Sequence, residues 1–199
     1  MSTESFTDPE FENSQTADEI REAPDIARRA LALFAVVGIS LGAPNAETVE
    51  WLRTESLWQA LTPQEVLFLT ADPPSERQRV NASWRSEALL MLLWSLGAIE
   101  HLPSLAEQCR AGDFQAFLPP FADVAVSDFI SAARRKSDED LLQMADDLLN
   151  SHWEARDARL NGRPIPAHLD IEIIQERHHG INWVIGYGGL PWDEVTTDT

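Results

Sequence analysis

"NASWRSEALLMLLWSLGAIE", Asn81 to Glu100, sets an arginine and a glutamate directly against an almost unbroken apolar run. At 100° per residue a helix puts Trp84, Ala88, Met91 and Ser95 on one face, and from Ala88 onward the residues are apolar on nearly every side. A helix that is apolar all round has to be enclosed by others, so this one, spanning about residues 76–99, is expected at the centre of the fold. Arg85 and Glu87 lie about 200° apart around its axis and cannot bond to each other. Each needs a partner from another element, because a lone charge against a core is costly. Glu176 or Asp193 is expected for Arg85, and Arg29, Arg156 or Arg177 for Glu87. The bond between such charges is read as structural, fixing how the helices pack.

Helix-start signals run outward from this stretch in both directions. Ser75 with Gln78 opens the central helix itself, and Thr62, Pro63 and Glu65 combine an N-cap, a proline at the first helical position and a capping-box acid. Thr16 with Glu19 fits a further capping box. Asp25 after Pro24 is expected to cap a helix with an apolar body from Ile26 to Ile39, and Asn45 to cap "AETVEWLR". Ser137 with Asp140 opens a long helix that closes at Asn161-Gly162. From His168, Ile171, Ile174, His178, Ile181 and Ile185 recur at spacings of three and four, which predicts an amphipathic helix closed by Gly186. "CRAGDFQAFLPPFADVAVSDFISAARRK" is broken by Gly112, Pro119 and Pro120 and reads as a loop with one helical turn, then a short helix from about Val124 to Arg134. No segment alternates apolar and polar residues as a half-buried strand would. The expected fold is therefore all-α: a single-domain multi-helix bundle over residues 16–199, with residues 1–15 as a flexible acidic arm.

The chain has 199 residues, 44% of them apolar, which suits one domain with a substantial core. Fifteen Lys and Arg against 33 Asp and Glu give a formal charge of −18. A field of that sign repels phosphate backbones and anionic lipid, so neither nucleic acid nor membrane is an expected partner; a basic protein is. The longest apolar runs fall short of the ~18 residues of a membrane span, and the acidic N-terminus lacks the features of a signal peptide. Cys109 is the single cysteine. A cytoplasmic location is the default expectation.

Chemistry-bearing constellations are sparse. Glu172, Glu176, His179 and Trp183 fall at i, i+4, i+7 and i+11, lining one helical face. Glu176 and His179 make a Glu-x-x-His unit of the kind that supplies half of a dinuclear metal site, but no second unit exists to face it, and no metal or cofactor is expected. A mononuclear site joining His152, His178 or His179 to Glu176 rests on spacing alone. His178 and His152 each interrupt an apolar stripe, the usual place of a core imidazole bonded to a neighbour. Cys109, read at the end of a short helix, has no basic cluster beside it, and nucleophile elbows and phosphate loops are absent.

"RRALAL" near Arg28, "EWLRTESLWQALTPQE", "WRSEALLMLLWSLG", "ERHHGINWVIG" and the ending "WDEVTTDT" together resemble a bacterial family known as domain of unknown function 4272, over roughly residues 26–199. The resemblance implies no activity. It places the family's signature on Arg29, Trp51, Glu65, Trp84, Arg85, Glu87, Trp94, Arg156, Glu176, Arg177, Trp183, Trp192, Asp193 and Asp198, mostly tryptophans and opposite charges. Seven Trp against one Tyr is an unusual ratio, and each buried indole wants a partner for its N–H.

Two functions compete on these grounds. One is an acidic α-helical interaction or structural module for a basic partner protein. The other is a small-molecule binder or hydrolase built on a cleft that would gather Arg85, Glu87, His152, Arg156, Glu176 and His179, with Arg177, Trp183 and Asp193 beside them.

Overall fold

The computed structural model describes residues 18–198. The expected arm over residues 1–15 and Thr16 itself lie outside them, but the helix expected to open at Thr16 with Glu19 is not there, since residues 18–22 form no helix. Among the described residues there are seven α-helices, four short 3-10 stretches and no strand: α1 (Ala23–Ser40), α2 (Asn45–Thr54), α3 (Pro63–Thr70), α4 (Glu76–Ser95), α5 (Val126–Ala132), α6 (Asp138–Leu160) and α7 (Ile171–Val184). The fold is all-α, a single domain. None of these helices is long and apolar enough to cross a membrane.

α4 sits at the centre, with α1 packed on one side and α7 on another, while α6 covers the outer face of α7. Its first six residues, Glu76 to Asn81, are exposed, and every residue from Ser86 to Ser95 is buried. Ser75 and Gln78 close its capping box, the Gln78 N–H donating to Ser75 Oγ and the Ser75 N–H to Gln78 Oε1. The helix stops at Leu96, where Gly97 adopts φ +70. The main core cluster around it draws chiefly on α1, α4 and α7, with Leu141, Ala145 and Leu148 of α6, and a second, smaller cluster joins Ala155, Leu169 and Ile174.

Three boundaries differ from the sequence expectation. α1 begins at Ala23, with Glu22 at the cap position and no side-chain cap, so Asp25 stands inside the first turn instead of capping it. α2 begins at Asn45 behind Pro44, and the Asn45 side chain turns away to donate to the Leu69 carbonyl, 3.0 Å. α7 begins at Ile171, because Asp170 Oδ1 accepts from the N–H groups of Glu172 and Ile173. Cys109 is not at a helix end either: residues 101–110 form no helix, and their backbone is held by tertiary bonds described below.

The α4–α7 contact is close enough to need a glycine. A Cβ added at Gly180 would lie 2.9 Å from the Ala88 carbonyl oxygen and 3.1 Å from Met91 Cβ. Gly180→Ala is therefore expected to lower stability by about 2 kcal/mol despite alanine's better helix propensity, as judged by the urea midpoint. An unchanged midpoint would mean that the two helices can separate at no cost.

Candidate functional site

Where the family signature converges, the charges are paired. Glu87 on α4 and Arg177 on α7 are 0% and 1% exposed. Arg177 Nε donates to Glu87 Oε2 at 2.8 Å, its Nη1 to the Pro103 carbonyl at 2.7 Å and its Nη2 to the Glu107 carbonyl at 3.2 Å. The other Glu87 oxygen accepts from the Cys109 backbone N–H at 2.7 Å. One ion pair thus joins two helices and fastens the 96–110 connection across them. Burial, with Glu87 nearby, pushes the Cys109 thiol up to about 12. It stays protonated and is no nucleophile at neutral pH.

Arg29 on α1 pairs with Glu65 on α3, both buried. Glu65 also accepts from the Thr62 N–H as the capping-box acid, so the same carboxylate starts α3 and holds α1 to it. The Arg29 guanidinium lies over the Trp192 ring, 4.0 Å from its centroid. Trp192 meets Trp183 edge-on at 5.4 Å and His179 at 4.8 Å, and Arg21 lies over Trp183 at 4.3 Å. The result is a pair of adjoining indoles with a guanidinium on each, which clasps both ends of the described chain. Cation–π contacts of this kind contribute about 0.5–2 kcal/mol each. Two nitrogens beside Trp192, Arg29 Nε and His179 Nε2, are buried and have no hydrogen-bond partner.

Arg85 meets Glu176 at 3.1 Å, with 33% and 19% of their side chains exposed. Burial raises the Glu176 carboxyl above its usual range against the pull of Arg85. Arg85 lines a cleft of about 320 Å³ with Gln64, Gln78, Asn81, Trp192 and the exposed Asp193. His152 and Arg156 lie elsewhere, on a separate cleft of about 360 Å³ with Arg159, Gln175 and Asp198. The expected candidates are thus divided among a buried pair, the Trp192 stack and two clefts, and do not surround one concavity. A third cleft, of about 610 Å³, lies between α1, α2 and the 111–121 segment and is lined mostly by apolar groups.

His152 Nδ1 and His178 Nδ1 are 3.2 Å apart, so the two stripe histidines are each other's partner, one donating and one accepting. Burial drives His178 down to about 4 and His179 down to about 3, and lowers His152 too. All three are neutral imidazoles near pH 7. Glu176, His179 and their neighbours do not form a metal box: among the described residues no three His, Cys, Asp or Glu side chains are disposed to hold an ion.

The α-helical bundle with an internal Arg–Glu and Trp network defines the class of protein. Its family model, "Domain of unknown function (DUF4272)", matches residues 8–195, nearly the whole chain. The chain belongs to that family. No curated protein and no solved structure matches it.

Sequence reasoning named the partner of each α4 charge within a short set but missed the Arg29–Glu65 bond, since Glu65 was already accounted for as a cap. Removing one member of a buried pair strands the other, so Glu87→Ala and Arg177→Ala should each cost about 3 kcal/mol, and the double variant clearly less than the sum. Arg85→Ala should cost about 1 kcal/mol or less, because that pair is partly solvated. Equal losses at Arg85 and Glu87 in chemical denaturation would contradict this ranking.

Acid should destabilise the fold through the histidines. Unfolded imidazoles titrate near ~6.5, whereas the folded chain keeps His178 neutral down to about 4 and His179 to about 3. Between those values the unfolded chain binds protons that the folded chain refuses, so their stabilising contribution is complete above ~6.5 and is lost as pH falls. Glu176, raised in the fold, opposes this trend at the acid end. Unfolding free energy measured from pH 7.5 to 5 should drop, with a slope of up to ~1.4 kcal/mol per pH unit for each titrating histidine. A flat profile would show that the imidazoles are reached by water.

Proposed function

We propose that this chain is a cytoplasmic protein-interaction module that presents an acidic surface to a basic partner protein. What supports this is the distribution of charge: three of its arginines, Arg29, Arg85 and Arg177, are tied to Glu65, Glu176 and Glu87, while much of the acidic excess lies on the outside. α6 alone exposes Asp138, Glu139, Asp140, Asp146, Asp147 and Glu154. A field of this kind speeds and orients the approach of a cationic protein and is screened by salt.

A second reading, a small-molecule binder, is favoured by the cleft at Arg85. Its guanidinium is partly exposed there, beside Gln64, Gln78, Asn81, Asp193 and the Trp192 ring. A polar ligand of metabolite size suits these walls. Among the described residues no serine, threonine or cysteine lines it.

Titration of the full chain with a Lys-rich amphipathic peptide and with its Glu-substituted counterpart separates the two. The module should bind only the basic peptide, about tenfold more weakly when salt rises from ~50 to ~300 mM. Equal affinity for both peptides would overturn it. A metabolite that raises the melting temperature of the native chain but not of Arg85→Ala would establish the second reading.

A further inference from the structure

α6 is the outermost of the long helices and carries a second apolar face that none of the described residues covers. Its buried face, Leu141, Ala145, Leu148, His152 and Ala155, packs on α7. On its open side Leu142, Leu149, Trp153 and Leu160 are 47%, 39%, 59% and 80% exposed. At 100° per residue these four lie within about 20° of one line, a straight seam along about five turns. Isolated exposed leucines need no explanation, but a tryptophan and three leucines aligned at spacings of 7, 4 and 7 form a coiled-coil seam.

The seam has an internal symmetry that names its occupant. Counted outward from chain position 151, the residues at two steps are Leu149 and Trp153, at five steps Asp146 and Arg156, and at nine steps Leu142 and Leu160. A helix laid antiparallel on a copy of itself about a two-fold axis at that position brings each residue opposite its mirror position. Apolar then meets apolar twice on each side, and the exposed Asp146 meets the half-buried Arg156 of the other copy. A parallel pairing sets Asp146 against another Asp146, and an antiparallel register displaced by seven residues sets it against Leu149. Arg156 already makes a contact within its own chain, and its guanidinium has five donors to share.

We propose that α6 is a homodimerisation surface, and that two copies of this chain pair antiparallel along the Leu142, Leu149, Trp153 and Leu160 seam. This goes beyond the reading above and does not depend on it: the acidic flank formed by Asp140, Asp147 and Glu154 lies about 120–160° around the helix from the seam and stays open in the pair. A single helix pair sits at the small end of specific interfaces, so association is weak, with a Kd on the order of 10–100 µM.

Sedimentation of the full chain from ~1 to ~500 µM, at salt high enough to screen the repulsion between two acidic copies, tests it. The expected mass doubles across that range. Leu149→Glu and Trp153→Glu, both at exposed positions that leave the fold intact by circular dichroism, should remain monomeric throughout. Leu67→Glu, at a 68% exposed leucine on α3, should dimerise like the parent. Asp146→Arg raises the net charge of each chain by two and would strengthen indiscriminate association of an acidic protein, yet here it should weaken the dimer about tenfold by setting Arg against Arg156. A chain that stays monomeric overturns the proposal and leaves residues 1–17 or a foreign helix as the occupant. A dimer that survives Trp153→Glu, or that Asp146→Arg strengthens, overturns it equally.

Discussion

Glu87 and Arg177 face each other across the α4–α7 contact with almost no solvent access, and the other groups they hold make the rest of the fold depend on them. A helix apolar on every side has no intrinsic preference for which face meets which neighbour. Hydrophobic burial drives α4 to the centre but would accept several rotations about its axis. A single carboxylate changes that, because only one rotation brings Glu87 to the Arg177 guanidinium. Breaking the pair is costly, while replacing both members with apolar groups of similar shape is often neutral. Its value therefore lies in the orientation it selects, together with the glycine contact at Gly180 that lets the two backbones approach.

A second layer of order follows from that orientation. With α7 set against α4, its later residues His179 and Trp183 come against Trp192, and the Arg29 and Arg21 guanidiniums lie on the two indoles. Arg21 also donates to the Trp183 and Leu190 carbonyls, and Asn182 to that of Thr196. The segments before α1 and after α7 are thereby bound to each other and to the same helix end. Arg21, Arg29 and Arg177 are held in internal contacts, while α6 keeps six acidic groups on the outside. That division of charge is what favours an interaction module over a catalytic cleft.

The legible parts of this fold are those whose signal is local. The Thr62 and Ser75 capping boxes, the Ser137 cap and the apolar continuity of α4 are properties of a few neighbouring residues, and each is found where the sequence puts it. Asp25 and Asn45 carry the right chemistry for caps, yet each is displaced by tertiary structure: α1 starts one turn earlier against α7, and Asn45 is drawn to Leu69. The 96–110 connection has no local signal, since its backbone groups bond to Glu87, Arg177 and Asp170, far away in sequence. Likewise the choice between Arg29, Arg156 and Arg177 as the partner of Glu87 depends on helix crossings that no periodicity contains. His152 and His178 stood on stripes that sequence could identify, but their mutual bond needed α6 to lie along α7.

The claim that one buried pair orients the central helix and fastens the loop beside it is most directly tested by amide hydrogen exchange at Cys109, whose N–H donates to Glu87 in a stretch with no helix to protect it. In the native chain this amide should exchange orders of magnitude more slowly than an exposed loop amide, opening only in larger unfolding events. In Glu87→Leu, which removes the acceptor at similar volume, its protection should collapse while the α4 amides from Leu89 to Leu93 remain slow. A Cys109 amide that exchanges freely in the native chain, or one that stays protected after Glu87→Leu, would contradict the account.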